Sequence, residues 1–172
     1  MSSVNFFVSP VDLRKGQTTK GVFTTKNPEN TMSAHSEIQT LINTYREAVM
    51  AKDVEKVMAL YADDIVSFDA IKALQFKGKA AYRAHWVECM EMCSGPHVFE
   101  FHEIAIESAD NIAFAHWVAN CGGTNDKGET QSCWMRATAC YRQIGGAWKI
   151  AHEHWSAPFD PMSGATLFDV TP

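Results

Sequence analysis

The 172 residues of this chain suffice for one domain with a single hydrophobic core, but not for two domains. Hydrophobic residues make up 46% of the sequence and charged residues 20%, which is typical of a globular protein and excludes a disordered or fibrous chain. The net charge of −5 disfavours contact with the phosphate backbone of nucleic acids, so we expect no nucleic-acid partner.

The N-terminal residues carry neither a basic leader nor a small-residue cleavage site, and no apolar run reaches the roughly 18 residues of a membrane-spanning helix. We therefore expect a cytoplasmic protein with no membrane partner. The five cysteines include no C-x-x-C pair, and their odd number disfavours a disulfide framework or a zinc ribbon. Cys89 and Cys93 lie four residues apart on a predicted helix, where buried free thiols are a simpler interpretation than a pair of ligands.

Residues 1–31 follow neither the helical nor the strand period, and two prolines interrupt them. We interpret this segment as an extended N-terminal arm or a non-native extension. Residues 32–172 are assigned to one domain, and Met32 is an alternative start of the chain.

The first half of the domain is predicted to be mainly helical. Apolar residues recur at helical spacing after the candidate N-cap residues Ser33 and Asp53, and a third helical pattern follows Gly78. A segment with alternating apolar side chains separates the second pattern from the third. The predicted order is a helix over 33–49, a short helix over 53–64, a strand over 65–71 and a helix over 79–93.

The apolar period changes to two after residue 96, which predicts strands joined by tight turns. The predicted strands cover residues 97–107, 111–121, 131–142 and 148–156. Helices followed by an antiparallel meander indicate an α+β fold, in which three N-terminal helices pack in a strongly curved antiparallel sheet. Such a sheet, closed on one side by helices, forms a cone whose interior can bind a small molecule.

Two polar residues in apolar surroundings are candidates for the chemistry of this cone. Tyr45 is the hydroxyl-bearing residue on the apolar face of the first helix, so it is either a core residue or a hydrogen-bond donor to the cavity. Asp69 follows a strand that reads as buried, and it is either a turn residue or a carboxylate that faces the cavity. A carboxylate desolvated by an apolar cavity becomes a better proton acceptor, which suits a general base.

Further candidate ligand-binding residues lie on the predicted strands and the third helix. His152 and His154 project from one face of a strand. They are structural residues, subunit contacts or two ligands of a metal that would need a third from His116, His85 or His102. We predict no metal site. Arg136 either binds a substrate carboxylate or pairs with an internal acid such as Asp69 or Glu153. Four tryptophans are core residues or line the cavity: Trp86, Trp117, Trp134 and Trp155.

Two stretches of the chain resemble a known superfamily. The segment Y-R-E-A-V-M-A-K-D-V-E-K-V-M-A-L-Y-A-D-D, followed by F-D-A and F-K-G-K-A-A-Y, is similar to the first half of SnoaL-like and ketosteroid isomerase-like proteins of the NTF2-like (cystatin-like) fold. W-M-R-A-T and the segment Y-R-Q-I-G-G-A-W-K-I-A-H-E-H-W-S-A-P-F-D are similar to their closing hairpin. They are also similar to the association domain of calcium/calmodulin-dependent protein kinase. The likeness covers about residues 35–160 and implies an NTF2-like cone.

The resemblance also implies roles for individual residues. In steroid isomerases, a helical tyrosine and a second acid hold the enolate oxygen, while an aspartate moves the proton. By similarity the tyrosine is Tyr45, the base is Asp69 and the aromatic residue of the last strand is Trp155. The second acid falls on or near Thr138, which is not a carboxylic donor, so this chain departs from the steroid isomerase pattern.

The resulting functional prediction is a homodimeric protein that binds a small hydrophobic, carbonyl or carboxylate molecule and needs no cofactor. As an isomerase or lyase it would use Asp69 as the base, Tyr45 and Thr138 as hydrogen-bond donors to the oxyanion, and Arg136 to hold an anionic substituent. The alternative is a non-catalytic ligand-binding or oligomerisation module that resembles the kinase association domain.

Overall fold

The computed structural model describes residues 33–172, and the interpretation of residues 1–31 as an arm lies outside this range. The helices are α1 (Ala34–Met50), α2 (Val54–Ala59) and α3 (Lys79–Glu91). The strands are β1 (Tyr61–Phe68), β2 (Phe76–Lys77), β3 (His97–Ala109), β4 (Ile112–Thr124), β5 (Thr130–Ile144) and β6 (Ala147–Ser156). The predicted α+β architecture is confirmed. None of the helices in this range is long and apolar enough to cross a membrane.

The helices begin at the predicted capping residues. The Ser33 side chain accepts a hydrogen bond from the backbone N–H of Ser36, and Asp53 accepts one from Lys56 N, so each satisfies an otherwise unpaired donor of the first turn. Gly78 precedes α3 with φ of +81°, a left-handed conformation that favours glycine. The caps fix where each helix starts, while its apolar face decides what it packs against.

One curved sheet carries all six strands, in the order β2-β1-β6-β5-β4-β3. Strands β3 to β6 form the predicted antiparallel meander. The pairing of β1 with β6, the last strand of the chain, is parallel, however, so the sheet is mixed and not wholly antiparallel as predicted. The two-residue strand β2 pairs with β1 and was not predicted, since two residues are too few to show a period.

The boundary between α2 and β1 differs from the prediction. The second helix ends at Ala59, and β1 begins at Tyr61 rather than at residue 65. Asp63 and Asp64 are exposed at an irregularity in the pairing of β1 with β6, where the alternation of buried and exposed residues breaks. This break hides the period of two at the start of β1. For that reason Tyr61 fits the helical pattern in the sequence, although it is the first residue of β1 and is buried.

The helices cover one face of the sheet, which we call the inner face; the opposite face is the outer face. Ala115, Trp117 and Ala119 of β4 lie on the inner face with Ala137 and Ala139 of β5, and all five are buried. A bulge in β6 changes the alternation, because the adjacent residues Cys140 and Tyr141 pair with His152 and Ile150, leaving Ala151 as the extra residue. After the bulge, Glu153 and Trp155 point to the inner face and are buried.

Candidate functional site

A cavity of about 170 Å³ lies between α3 and the inner face of the sheet. Its wall is mainly aromatic and sulfur-containing, and apart from two cysteines its titratable side chains are Asp69 and His85. The other lining residues are Ile71, Trp86, Cys89, Phe99, Cys121, Met135 and Trp155. An apolar pocket with a few polar groups converging on it is the usual form of a small-molecule site.

Asp69 lies where β1 ends, and strand parity explains its direction. Ile65 and Ser67 are fully buried on the inner face, so Asp69, two residues further, points to the same side. Its Oδ1 accepts a hydrogen bond from Ile71 N at 3.2 Å, which makes it a turn residue as well. Asp69 also lines a surface groove of about 520 Å³ with Phe68, Ala73, Leu74, Gln75 and His154, which leads from the protein surface to the carboxylate.

Two side chains of α3 hold the other carboxylate oxygen of Asp69. The Tyr82 hydroxyl is 3.1 Å from Asp69 Oδ2, and His85 Nε2 is also 3.1 Å from that oxygen. Tyr82 and His85 lie three residues apart, so both project from one side of the helix, and their rings are stacked 5.8 Å apart. Phe76 of β2 stacks on His85 with ring centroids 4.3 Å apart and also contacts the Tyr82 ring at 5.5 Å, so the three rings form one cluster.

A second carboxylate, Glu153, lies deeper behind this aspartate. Glu153 is 1% exposed, and its Oε1 accepts hydrogen bonds from the hydroxyls of Tyr82 and Tyr61, the latter at 3.0 Å. The Tyr61 and Tyr45 hydroxyl oxygens are 3.3 Å apart. A continuous buried row of polar groups therefore runs from Tyr45 to Asp69, while Glu153 Oε2 has no hydrogen-bond partner.

Burial dominates the electrostatics of this row. It raises the pKa of Glu153 to about 7, since hydrogen bonding by Tyr82 and Tyr61, with a smaller contribution from Trp155, only partly offsets the desolvation, and the charge of Asp69 adds to it. Burial, followed by the charge of Glu153, also raises the pKa of Tyr45, Tyr61 and Tyr82 well above the usual value of tyrosine. The tyrosines are therefore neutral hydrogen-bond donors at physiological pH.

The cysteines on the cavity wall are neutral thiols. Desolvation raises the pKa of both Cys89 and Cys121 to about 12. Cys89 Sγ lies 3.4 Å from His85 Nε2, the atom that also contacts Asp69. Because the thiolate is the reactive form of cysteine, neither residue is suited to nucleophilic catalysis. Among residues 33–172, no group of three histidine, cysteine or acidic side chains is arranged to hold a metal ion.

Comparison with known proteins assigns the family. Residues 38–160 match the profile of the SnoaL-like domain. The chain belongs to the SnoaL-like domain family. No significant match to the sequence occurs among curated proteins.

Solved structures show the same fold for this SnoaL-like domain. An NTF2-like protein of unknown function from Pseudomonas putida is 50% identical to it, with a TM-score of 0.75 over 83% of this chain and 100% of that one. A protein from Xanthomonas campestris, described as a proposed calcium/calmodulin-dependent protein kinase II association domain, is 20% identical, with a TM-score of 0.65 over 79% of this chain and 96% of that one. A proposed dehydratase of the NTF2-like family from Streptomyces avermitilis is 15% identical, with a TM-score of 0.65 over 73% and 97%.

The SnoaL-like domain brings three of the predicted site residues to its cavity: Asp69, Trp86 and Trp155. Tyr45 is not among the lining residues. It is 1% exposed, its hydroxyl meets that of Tyr61, and its ring packs edge-on against Trp86 and Phe99. Of the two interpretations of Tyr45, the core residue is the one that the structure supports, because helix α1 lies behind the cavity wall.

The other predicted residues point to the outer face, which corrects the expectation that they line the cone. Thr138 and Arg136 are exposed, since they alternate with the buried Ala137 and Ala139. His116, which is also exposed, lies opposite Thr138 in the sheet. Trp134 packs against His102, with ring centroids 5.1 Å apart. None of these four contacts Asp69 or Glu153 through a hydrogen bond or salt bridge within the described range.

His152 and His154 also lie on the outer face, where both rings contact Phe68. His152 Nδ1 is 2.6 Å from the Val66 carbonyl oxygen, so this nitrogen donates to the backbone. His154 reaches the surface groove that contains Asp69, although it does not line the cavity. The β6 bulge explains the correction, because it moves Glu153 and Trp155 inward and turns both histidines outward.

Glu153, Tyr82 and His85 are site residues that the sequence analysis did not identify as such. A signal for Glu153 exists in the sequence. If Trp148 and Ile150 point inward, alternation places the even-numbered residues of β6 on the inner face, whereas an inward Trp155 places the odd-numbered ones there. The two parities agree only if a bulge lies between them, which places Glu153 beside Trp155 on the inner face. For His85 the signal is its place one turn before Cys89 on the apolar stripe of α3.

Proposed function

We propose that this protein binds a small, largely apolar carbonyl compound in the cavity and abstracts a proton from the carbon next to the carbonyl. Asp69 is the general base. The carbon–hydrogen bond breaks, the proton passes to the carboxylate, and the electron pair moves to the carbonyl oxygen, giving an enolate. Where the substrate is a β,γ-unsaturated carbonyl compound, the enolate is conjugated with the double bond, and return of the proton to the γ carbon completes an isomerisation. The observation that carries the proposal is a single carboxylate, oriented by Tyr82 and His85, on the wall of a mainly apolar cavity.

The volume of the cavity limits the substrate. An apolar cavity of about 150 Å³ accommodates benzene, so the 170 Å³ present here suits a compound with one ring or a short branched chain. A four-ring steroid exceeds this volume. The substrate class is therefore a monocyclic or short-chain ketone, which agrees with the departure from the steroid isomerase pattern at Thr138.

Trp86 is the candidate donor to the developing oxyanion. It lines the cavity, it is 9% exposed, and its indole N–H has no hydrogen-bond partner in residues 33–172. A buried donor without a partner is costly, and a ligand oxygen would satisfy it. Trp117 also has an unpaired buried indole N–H but does not line the cavity, so it provides a matched control.

A lyase reaction is consistent with the same site. Loss of water from a β-hydroxy carbonyl compound begins with the same proton abstraction; the proton taken up by Asp69 is then returned to the β-hydroxyl group, which leaves as water while the double bond forms. The structural neighbour from Streptomyces avermitilis is described as a proposed dehydratase. Its low identity makes it evidence for the fold alone, so the isomerisation and the elimination are distinguished by the product formed.

The test is deuterium exchange into a six-membered cyclic ketone in deuterated buffer. Asp69→Asn should reduce the rate 100-fold or more, the usual size of a general-base contribution, while binding of the ketone stays within a few fold of wild type. Trp86→Phe should reduce the rate about 100-fold, as expected for loss of an oxyanion donor. Trp117→Phe should exchange like wild type.

Two outcomes would contradict the proposal. If exchange persists unchanged in Asp69→Asn, the aspartate is not the base. If the ketone binds but wild type exchanges no faster than buffer, the protein is a ligand-binding module without this chemistry, which was the alternative function predicted from the sequence.

We also propose that the protein self-associates through the outer face. Phe68 is 39% exposed and Phe114 45% exposed on this face, in a region that also contains His152 and His154. Large exposed apolar side chains that cluster on one face commonly mark an interaction surface. A homodimer formed through this face would bury these side chains.

A further inference from the structure

The Tyr82 hydroxyl lies between two carboxylates. It is within hydrogen-bond distance of Asp69 Oδ2, at 3.1 Å, and in closer contact with Glu153 Oε1. A neutral tyrosine carries one hydroxyl proton and can donate it to only one of these acceptors. If both carboxylates were ionised, one of them would face the lone pairs of the phenol oxygen in a buried site. That arrangement is repulsive, so one more proton is required.

Of the two carboxylates next to Tyr82, Glu153 is the one whose surroundings favour the protonated form. Asp69 Oδ2 already accepts from His85, and its Oδ1 accepts from a backbone N–H, as suits an ionised carboxylate. Glu153 Oε2, in contrast, is buried without a partner. An unpaired carbonyl oxygen of a neutral acid costs far less in this environment than an unpaired oxygen of an anion.

A proton on Glu153 Oε1 completes the hydrogen bonding of the row. Tyr45 donates to Tyr61, Tyr61 donates to Glu153, Glu153 donates to Tyr82, and Tyr82 donates to Asp69. Each of the three interior groups then donates once and accepts once. Such chains of hydrogen bonds polarise one another and hold their members in a single orientation.

We infer that Glu153 is held as a neutral carboxylic acid and, through Tyr82, directs a hydrogen bond onto Asp69, leaving Asp69 as the only anion of the site. The inference rests on the proposed function and deepens it, because it says how the base is kept oriented and available. Glu153 does not line the cavity. It is therefore a positioning residue that acts on Asp69 through Tyr82, and no proton leaves it during turnover.

The groups that face Glu153 agree with a neutral acid. Among the described residues it has no salt-bridge partner. Burial raises its pKa to about 7, with a further contribution from the charge of Asp69. The titratable groups that face it or its two tyrosine partners are Tyr45 from α1, Tyr61 from β1, Asp69 from the following loop, Tyr82 and His85 from α3, and Tyr141 from β5.

Ionisation of Glu153 at higher pH should slow the exchange, because Asp69 is then no longer held in one orientation and the enolate is destabilised. Tyr82 would then donate to Glu153, Asp69 would lose a hydrogen bond, and a second negative charge would stand near the enolate. The exchange rate is therefore expected to fall with rising pH, with a midpoint near 7. In Glu153→Gln the amide cannot ionise, and an NH2 group in the place of Oε1 can donate to Tyr82 while Tyr61 donates to Tyr45, so the alkaline fall should disappear.

The direct test is infrared difference spectroscopy of the full-length protein between pH 5.5 and 9. Wild type should show the carbonyl band of a buried neutral carboxylic acid that disappears as the pH rises, and Glu153→Gln should lack it. Tyr82→Phe should retain the band at shifted frequency, which assigns it even if the glutamine variant does not fold. Absence of a band that depends on Glu153 in correctly folded protein would overturn the inference.

The two measurements separate this inference from the proposed function. If the band is present but no ketone exchanges in wild type, Glu153 is a neutral acid and the proposed proton transfer is wrong. If exchange requires Asp69 but the band is absent, and the pH profiles of wild type and Glu153→Gln coincide, Asp69 acts without the neutral acid and the inference fails.

Discussion

Glu153→Gln should change how the stability of the protein depends on pH. The pKa of Glu153 is about 7 in the folded chain, against 4.5 for a glutamate in solution. Between these values the unfolded chain loses the proton while the folded chain keeps it, so this group's stability contribution is complete below pH 4.5 and is lost as the pH rises to 7. At about 1.4 kcal/mol per pH unit, the wild-type free energy of unfolding falls by about 3 kcal/mol over this interval. Glutamine does not ionise, so the variant is spared this loss.

Urea unfolding of both proteins at pH 4.5, 6, 7 and 8 measures the effect. Other titrating groups are common to the two proteins and cancel in the difference between their free energies of unfolding. We expect that difference to move by about 3 kcal/mol in favour of Glu153→Gln between pH 4.5 and pH 8. Glu47→Gln is the matched control, because Glu47 is exposed on α1, and its curve should run parallel to wild type. Parallel curves for wild type and Glu153→Gln would refute a buried neutral acid.

Three further predictions concern the backbone, the cavity and the outer face. Gly78→Ala should lower the free energy of unfolding by about 1–3 kcal/mol in urea, because φ is +81° and the added Cβ meets only Asp63 O at 3.8 Å; an unchanged midpoint would show that alanine adopts this conformation freely. Cys121→Phe fills the cavity and should weaken ketone binding at least tenfold in a thermal-shift titration, whereas Cys140→Phe on the outer face should not; equal affinities would place the ligand elsewhere. Phe114→Glu should shift sedimentation towards the monomer, and a wild-type protein that is monomeric at all concentrations would contradict the proposed self-association.

The elements of the fold follow from periodicity and capping that are local in the sequence. Helix α1 is predicted because Ile38, Leu41 and Ile42 share one face behind the capping residue Ser33, and the structure buries that face. The four long strands show a period of two over 10 to 15 residues, which is enough to define them despite their bulges. The parallel pairing of β1 with β6 is not visible, because it joins segments about 90 residues apart.

The candidate site was predictable only where the strand is regular up to the residue concerned. Asp69 lies two residues after Ser67 on an uninterrupted part of β1, so parity places it correctly. His152 and His154 lie beyond the β6 bulge, and there the same argument gives the wrong face. Tyr45 is on the predicted apolar face of α1, but whether that face lines the cavity or lies in the core depends on how α1 packs against the sheet.

The sequence by itself determined the α+β architecture and the family and identified Asp69 as one candidate carboxylate, because these depend on local period, capping and recognisable segments. Only the tertiary structure decided that Glu153 faces inward, that Tyr82 stands between it and Asp69, and that Tyr45 ends the row rather than facing a ligand. The physical reason is that one extra residue in a strand reverses the direction of every side chain beyond it. The extra residue in β6 turns Glu153 inward. The hydrogen bonds that Glu153 then makes, to Tyr61 of β1 and Tyr82 of α3, join distant parts of the chain and are not visible in the sequence.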